Sequence, residues 1–292
     1  MTQGRRAIEI LSPETVTSPL IFTSPHSGRD YPVELMKNSR LDRHALRQSE
    51  DAYVDLLFDE APRHGAPFLR ALFPRAYVDV NRAREEIDPR MFADVVAKTV
   101  DSRSSRVIAG LGVIPRIVAD GQDIYERKLY LADANKRLST CYDPYHAALR
   151  ELIDQAKSQF GCAIIIDCHS MPSAGGEPFR AGEPPIDFVL GDRFGVSCSS
   201  IISSAVEQFL SDRGHMITRN APYAGGFVAS SYGRPKDNVH VLQIEINRAL
   251  YLNERKITRT EGFAQLREAM SGLMGELTLI RRDMLWTAQA AE

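Results

Sequence analysis

The clearest pattern along the chain is an apolar run that turns polar at its end. Ala163-Ile164-Ile165-Ile166 leads into Asp167-Cys168-His169-Ser170 and then Met171-Pro172. β-Branched residues without alternation predict a strand buried on both faces, most often in a parallel sheet. Such a strand delivers polar side chains to the crevice beyond its carboxyl end, where His169 falls. Pro19 to Ser24 repeats the pattern and runs into the turn-rich Pro25-His26-Ser27-Gly28-Arg29-Asp30-Tyr31-Pro32. A third run, Val239 to Arg248, holds Glu245 within Leu242-Gln243-Ile244-Glu245-Ile246-Asn247. Shorter strands are predicted at Pro67–Phe73, Ala76–Val80 and Asp187–Leu190.

Helical spacing predicts elements over Leu41–Glu60, Glu126–Phe160, Ser197–Arg213 and Thr258–Arg281. Asp143-Pro144 is expected to split the second of these, since proline disfavours a helical predecessor and suits a first turn. Residues 87–125 hold no sustained period and are punctuated by Pro89, Gly110, Gly112, Pro115 and Gly121. They read as an irregular excursion or lid with short strands, for instance Val113–Val118. Ser173–Pro185 reads as a loop and Tyr223–Phe227 as a hinge or turn. Strands and helices alternate and no linker divides residues 1–292. The expected fold class is therefore α/β, a single domain with a central mixed, mostly parallel sheet flanked by helices.

Composition narrows the function. Hydrophobic residues make up 43% of the 292, charged residues 25%, and the net charge is −2. A nucleic-acid partner would show as a basic stripe, and a membrane span would need an apolar run of about 18 residues. Neither pattern is present, and no long apolar stretch follows Arg5-Arg6, so a cytoplasmic chain is expected. Cys141, Cys162, Cys168 and Cys198 lie far apart, which predicts buried free thiols.

His26 and His169 end separate strands beside small polar residues, and imidazole is a good zinc ligand. The alternative is that each is a structural loop or core histidine. A third ligand would be a carboxylate, with Asp30, Glu50, Asp51 and Asp167 as candidates. Asp167 lies two residues before His169 on the same face, as ligand or as an acceptor orienting the imidazole. A carboxylate at Glu245, inside an apolar strand, is costly unless paired. It would serve as a general base or acid, or pair with Arg248 or another arginine. Arg82, Arg84 and Arg248 also follow strands, and converging arginine forks would hold an acidic substrate. Surface pairing with Glu85 and Glu86 is the other reading, for Arg84 above all. Gly225-Gly226 would let backbone approach a ligand, or would simply turn. Ser170 lacks a G-x-S-x-G elbow. Cys168 points away from the His169 face, and neither G-x-G-x-x-G nor a P-loop occurs.

Five segments, taken in order, resemble the N-formylglutamate amidohydrolase family. They are Ser24-Pro25-His26-Ser27-Gly28, Asp79-Val80-Asn81-Arg82, Asp167-Cys168-His169-Ser170-Met171, Asn220-Ala221-Pro222-Tyr223-Ala224-Gly225-Gly226 and Gln243-Ile244-Glu245-Ile246-Asn247-Arg248. The resemblance spans roughly residues 19–252. It implies a phosphorylase/hydrolase-like α/β fold related to the zinc carboxypeptidases, and hydrolysis of N-formyl-L-glutamate to formate and L-glutamate, as in histidine breakdown. The implied cofactor is zinc, or another divalent metal, and the implied partner is a small acidic N-acyl amino acid. His26 and His169 match metal positions. Asp51, within Ser49-Glu50-Asp51-Ala52-Tyr53-Val54-Asp55, matches an acidic position taken as the third ligand. The His-x-x-Glu pair of the carboxypeptidase-like relatives is absent, because Arg29 stands three residues after His26. Glu245 matches the glutamate base, and Arg82 an arginine for the substrate carboxylate or the oxyanion. Asn81, Arg84, Arg248, Gly225 and Gly226 are the implied substrate-binding set. Two other readings remain: a zinc hydrolase of the same fold acting on another N-acyl amino acid or small peptide, and a non-catalytic small-molecule-binding relative. The sequence leaves the oligomeric state open.

Overall fold

The apolar runs of the sequence become the middle of a seven-stranded sheet in the computed structural model, which describes residues 6–95, 100–118, 121–173 and 185–289. The strands are β1 (Ile8–Leu11), β2 (Leu20–Ser24), β3 (Phe68–Ala71), β4 (Ala163–Met171), β5 (Phe188–Gly191), β6 (Ile217–Arg219) and β7 (Val239–Asn247). Their order is β1-β3-β2-β4-β7-β5-β6. β2 pairs in parallel with β4, β4 with β7, and β5 with β6, while β5 runs antiparallel to β7. The sheet is thus mixed and mostly parallel, as expected. Every residue of β4 and β7 is buried. Alternation sorts their faces: Ile164, Ile166 and Cys168 share one side of β4, and Asp167 and His169 the other.

Ten α-helices are defined among the described residues: α1 (Val33–Asn38), α2 (Arg43–Arg47), α3 (Val54–Leu57), α4 (Ser105–Ile108), α5 (Leu131–Arg137), α6 (Asp143–Phe160), α7 (Ser200–Ser211), α8 (Phe227–Tyr232), α9 (Gly262–Leu277) and α10 (Arg282–Gln289). None is long and apolar enough to cross a membrane. The stripe Phe263, Leu266, Met270, Leu273 and Leu277 of α9 is buried as its spacing predicts. All four cysteines are free and buried.

Three elements differ from expectation. The helix expected over Leu41–Glu60 is two short helices, α2 and α3, with irregular backbone over 48–53 between them. The break is imposed from outside the segment. The Asp51 amide donates to the His26 carbonyl at 3.1 Å, the Ser27 hydroxyl donates to the Asp51 carbonyl at 2.9 Å, and Tyr53 adopts φ 65°. Ala76–Val80 is no strand. The Tyr77 and Val78 amides both turn back to the Pro74 carbonyl, so these apolar residues are buried by a turn. Asp143-Pro144 does not end a helix either. A π-helical turn over Leu138–Tyr142 joins α5 to α6, with Pro144 in the first turn of α6, where no amide hydrogen is needed.

Contacts along the backbone group into two compact units. One comprises Met1–Glu9, Pro25–Ala52 and Arg70–Leu149, the other Ile10–Ser24, Tyr53–Leu69 and Arg150–Glu292. The first contains the 87–125 excursion. Its described part forms no strand at Val113–Val118, only isolated bridges such as Ile117–Asp123. It buries Ile87, Met91, Phe92, Val107, Val113, Ile114, Val118 and Ile124. This excursion is core-forming as well as irregular. The second unit carries the central strands β2, β4 and β7. Most of the predicted Ser173–Pro185 loop, residues 174–184, lies outside the described residues.

Candidate active site

His26 follows β2 by two residues in a loop that a close backbone approach holds in place. A Cβ added at Gly28 would stand 2.1 Å from the Phe73 carbonyl oxygen, so only glycine fits there. His26 is buried. Its Nε2 lies 2.8 Å from Asp79 Oδ1, and its Nδ1 lies 3.3 Å from Asp51 Oδ2. Asp79 is buried as well. Burial alone would raise its pKa, but Arg75, Arg82 and His26 outweigh it and hold the carboxyl well below its usual range. Arg75 Nε donates to Asp79 Oδ2 at 2.9 Å, and Arg82 Nη2 is 3.7 Å from the same oxygen.

In the sheet unit, β4 places Asp167 and His169 on one face. His169 Nε2 is 2.9 Å from Asp167 Oδ2, and the Thr23 hydroxyl donates to Asp167 Oδ1 at 2.7 Å. β7 places Glu245 directly beside His169 and Gln243 beside Asp167. Gln243 Nε2 donates to Glu245 Oε1 at 2.8 Å, and the Gly226 amide donates to Gln243 Oε1 at 2.6 Å. Cys168 sits on the opposite face. Burial, with Asp167 nearby, pushes its thiol well above the ordinary range, so it is no nucleophile.

Among the described residues, His26, Asp51 and His169 each bring one ligand atom within 4.8 Å of the others, all three being buried. The chemistry of this set fits a divalent cation: two imidazoles, one carboxylate, and on each imidazole an Nε2 engaged by a second carboxylate. That is how metal-binding histidines are commonly oriented. The other candidate ligands are occupied differently. Asp30 is exposed. Glu50 accepts from Tyr31 Oη at 2.7 Å and from Arg47 Nε at 3.0 Å, while burial raises its pKa against both partners. Asp167 binds the His169 ring.

Arg82 is buried, which pushes its pKa down to about 10 against the pull of Asp79. Its Nε donates to the Leu111 carbonyl and its Nη1 to the Asn81 carbonyl. The Asn81 amide donates to Asp79 Oδ1 at 2.9 Å. Arg84 makes a solvent-exposed ion pair with Asp143 at 2.5 Å; Glu85 and Glu86 are not its partners in that bridge. Arg248 is buried, and its Nε donates to Ser170 Oγ at 3.1 Å. Gly225 has φ 118°, a conformation that favours glycine, and its loop packs on Gly191. Sequence reasoning gave no role to Asp79, Thr23 or Gln243. Asp79 and Gln243 lie inside the family-like segments, which was the only signal available for them.

An α/β protein with a mixed sheet, a buried His-Asp-His group fit for a metal, and a glutamate beside one of its histidines belongs to the class of metal-competent α/β proteins. The family model for N-formylglutamate amidohydrolase matches residues 18–252, and the chain belongs to that family. It is 27% identical over 257 residues to the N-formylglutamate deformylase of Pseudomonas aeruginosa, covering 85% of this chain and 87% of that one. To the Pseudomonas putida N-formylglutamate deformylase it is 25% identical over 251 residues, with the same coverage. The crystal structure of an N-formylglutamate amidohydrolase from Ralstonia eutropha JMP134 superposes with a TM-score of 0.87 at 34% identity, over 99% of this chain and all of that one.

Proposed function

We propose that this chain is a metal-dependent amidohydrolase that cleaves the amide of N-formyl-L-glutamate to formate and L-glutamate, its 292 residues acting as one amidohydrolase domain. The observation that carries this reading is the buried His26-Asp51-His169 group, in a chain whose relatives are N-formylglutamate deformylases. The single-domain reading is supported by a family match that runs through segments of both compact units. With it goes the expectation of a cytoplasmic enzyme of histidine breakdown.

Zinc, or another divalent ion held by these three residues, would supply Lewis-acid polarisation and a water of lowered pKa. Asp79 and Asp167 engage the two Nε2 atoms and so orient each imidazole. Glu245, beside His169, takes the proton of the attacking water and passes it to the departing amine. Arg82 supplies positive charge toward the oxyanion. Arg248, Asn81 and the Gly225 backbone hold the substrate's carboxylates; the Gly226 amide, expected among them, is engaged by Gln243 instead. Arg84 joins them only by leaving Asp143.

Two measurements test the reading: metal content of the purified chain, and steady-state kinetics on a panel of N-formyl and N-acetyl amino acids. About one divalent ion per chain and a preference for N-formyl-L-glutamate are expected. His169→Ala is expected to lose most of the metal and to lower kcat/KM by at least about a hundredfold. A His169→Ala variant as active as wild type would overturn the mechanism. Indifference to the formyl group or to glutamate would overturn the substrate alone.

A further inference from the structure

One row of side chains crosses the sheet immediately behind the residues proposed to act. Thr23 on β2 is registered with Asp167 on β4, Asp167 with Gln243 on β7, and Gln243 with Gly191 on β5. The next row toward the carboxyl ends of β4 and β7 pairs His169 with Glu245. Within each strand the rear residue bonds to the front one two positions on. Asp167 Oδ2 is 2.9 Å from the His169 ring, and Gln243 Nε2 donates to Glu245 Oε1 at 2.8 Å. Residues i and i+2 share a face in a strand, so both bonds follow from the same pleat.

From this parallel we infer that Gln243 is a positioning residue for Glu245, doing on β7 what Asp167 does for His169 on β4. The inference rests on the reading of Glu245 as the base. The amide of Gln243 has one orientation open to it. The Gly226 amide donates to its Oε1 at 2.6 Å, so its NH2 must face Glu245. Gly226 is itself placed by a tight backbone contact one residue earlier. A Cβ added at Gly191 would stand 2.7 Å from the Gly225 nitrogen, so the loop lies directly on the end of β5. A backbone amide therefore fixes Gln243, Gln243 fixes one oxygen of Glu245, and the orientation of that carboxylate is set before substrate arrives. Such preorganisation acts on the rate of the chemical step more than on binding.

The test is steady-state kinetics on N-formyl-L-glutamate with the metal-loaded protein, comparing wild type, Gln243→Met, Gln243→Glu and Glu245→Gln. Metal content and circular dichroism are measured on each. Gln243→Met fills the volume and removes both hydrogen bonds. Gln243→Glu keeps the acceptor for Gly226 and turns the donor facing Glu245 into an acceptor. Both are expected to lower kcat by about 10- to 100-fold, with KM within about threefold and bound metal unchanged. If Glu245→Gln is inactive while both Gln243 variants keep kcat within about twofold of wild type, the positioning role is wrong and the base stands. A loss confined to KM, or loss of fold in both Gln243 variants, overturns the role as well. If Glu245→Gln retains full kcat, the base reading fails, and this inference fails with it.

Discussion

Three histidines show how one side chain is put to different uses by its partners. His26 and His169 each have a carboxylate on Nε2 and belong to the metal-competent group. His240, on the opposite face of β7 from Glu245, accepts from the Ser199 amide through Nδ1 at 3.2 Å, and among the described residues its buried Nε2 has no hydrogen-bond partner. Burial pushes its pKa down to about 4. An unfolded chain protonates this residue near pH 6.5, so between there and pH 4 the unfolded state holds more protons and stability falls as pH falls. The loss reaches roughly 3 kcal/mol below pH 4. His240→Asn keeps an acceptor near Ser199 and does not titrate. Its urea midpoint is expected to fall less than that of wild type between pH 7 and pH 4.5; equal falls would remove this account. At the residue scale the sequence marked His26, His169, Asp51 and Glu245. It did not show Asp79 as the partner of His26, because 53 positions separate the two residues and no local pattern records that distance.

Elements were legible where burial repeats with a period. β2, β4, β7 and α9 follow from apolar runs and stripes, and the three strands carry Thr23, Asp167, His169, Gln243 and Glu245. The stretch Gln48–Tyr53 shows the limit. The apolar residues in and around it, Leu46, Tyr53, Leu56, Leu57 and Phe58, suit one helix, and a helical reading would have put Asp51 on a solvated face. The bonds to His26 and Ser27 break the helix and bury the carboxylate beside the His26 ring. The loop that makes those bonds depends on Gly28. A Cβ there would meet the Phe73 oxygen at 2.1 Å and the Leu72 carbonyl carbon at 2.6 Å, both backbone atoms that cannot rotate aside. Gly28→Ala is expected to destabilise the protein by roughly 1–3 kcal/mol and to lower its bound metal. Thermal unfolding and metal analysis check this, and a variant that loses stability yet keeps full metal would show that the loop does not position His26.

For the whole molecule, a ligand held only by the folded chain stabilises it by mass action, by about 2.7 kcal/mol at a hundredfold excess over Kd. The thermal midpoint of metal-stripped protein is therefore expected to climb with added zinc, and Asp51→Asn is expected to flatten that climb. A wild-type midpoint indifferent to zinc would count against the metal group independently of any activity assay. The sequence by itself determined the α/β class, the buried strands, the free thiols and the order of the five family-like segments, because each is written in local pattern or in short runs of residues. Tertiary structure alone decided that Asp79 stands with His26, which nitrogen of each ring is engaged, and that Gln243 stands behind Glu245. Those outcomes depend on hydrogen bonds and strand register between segments far apart in the chain, and periodicity reports which positions are buried without saying what they are buried against.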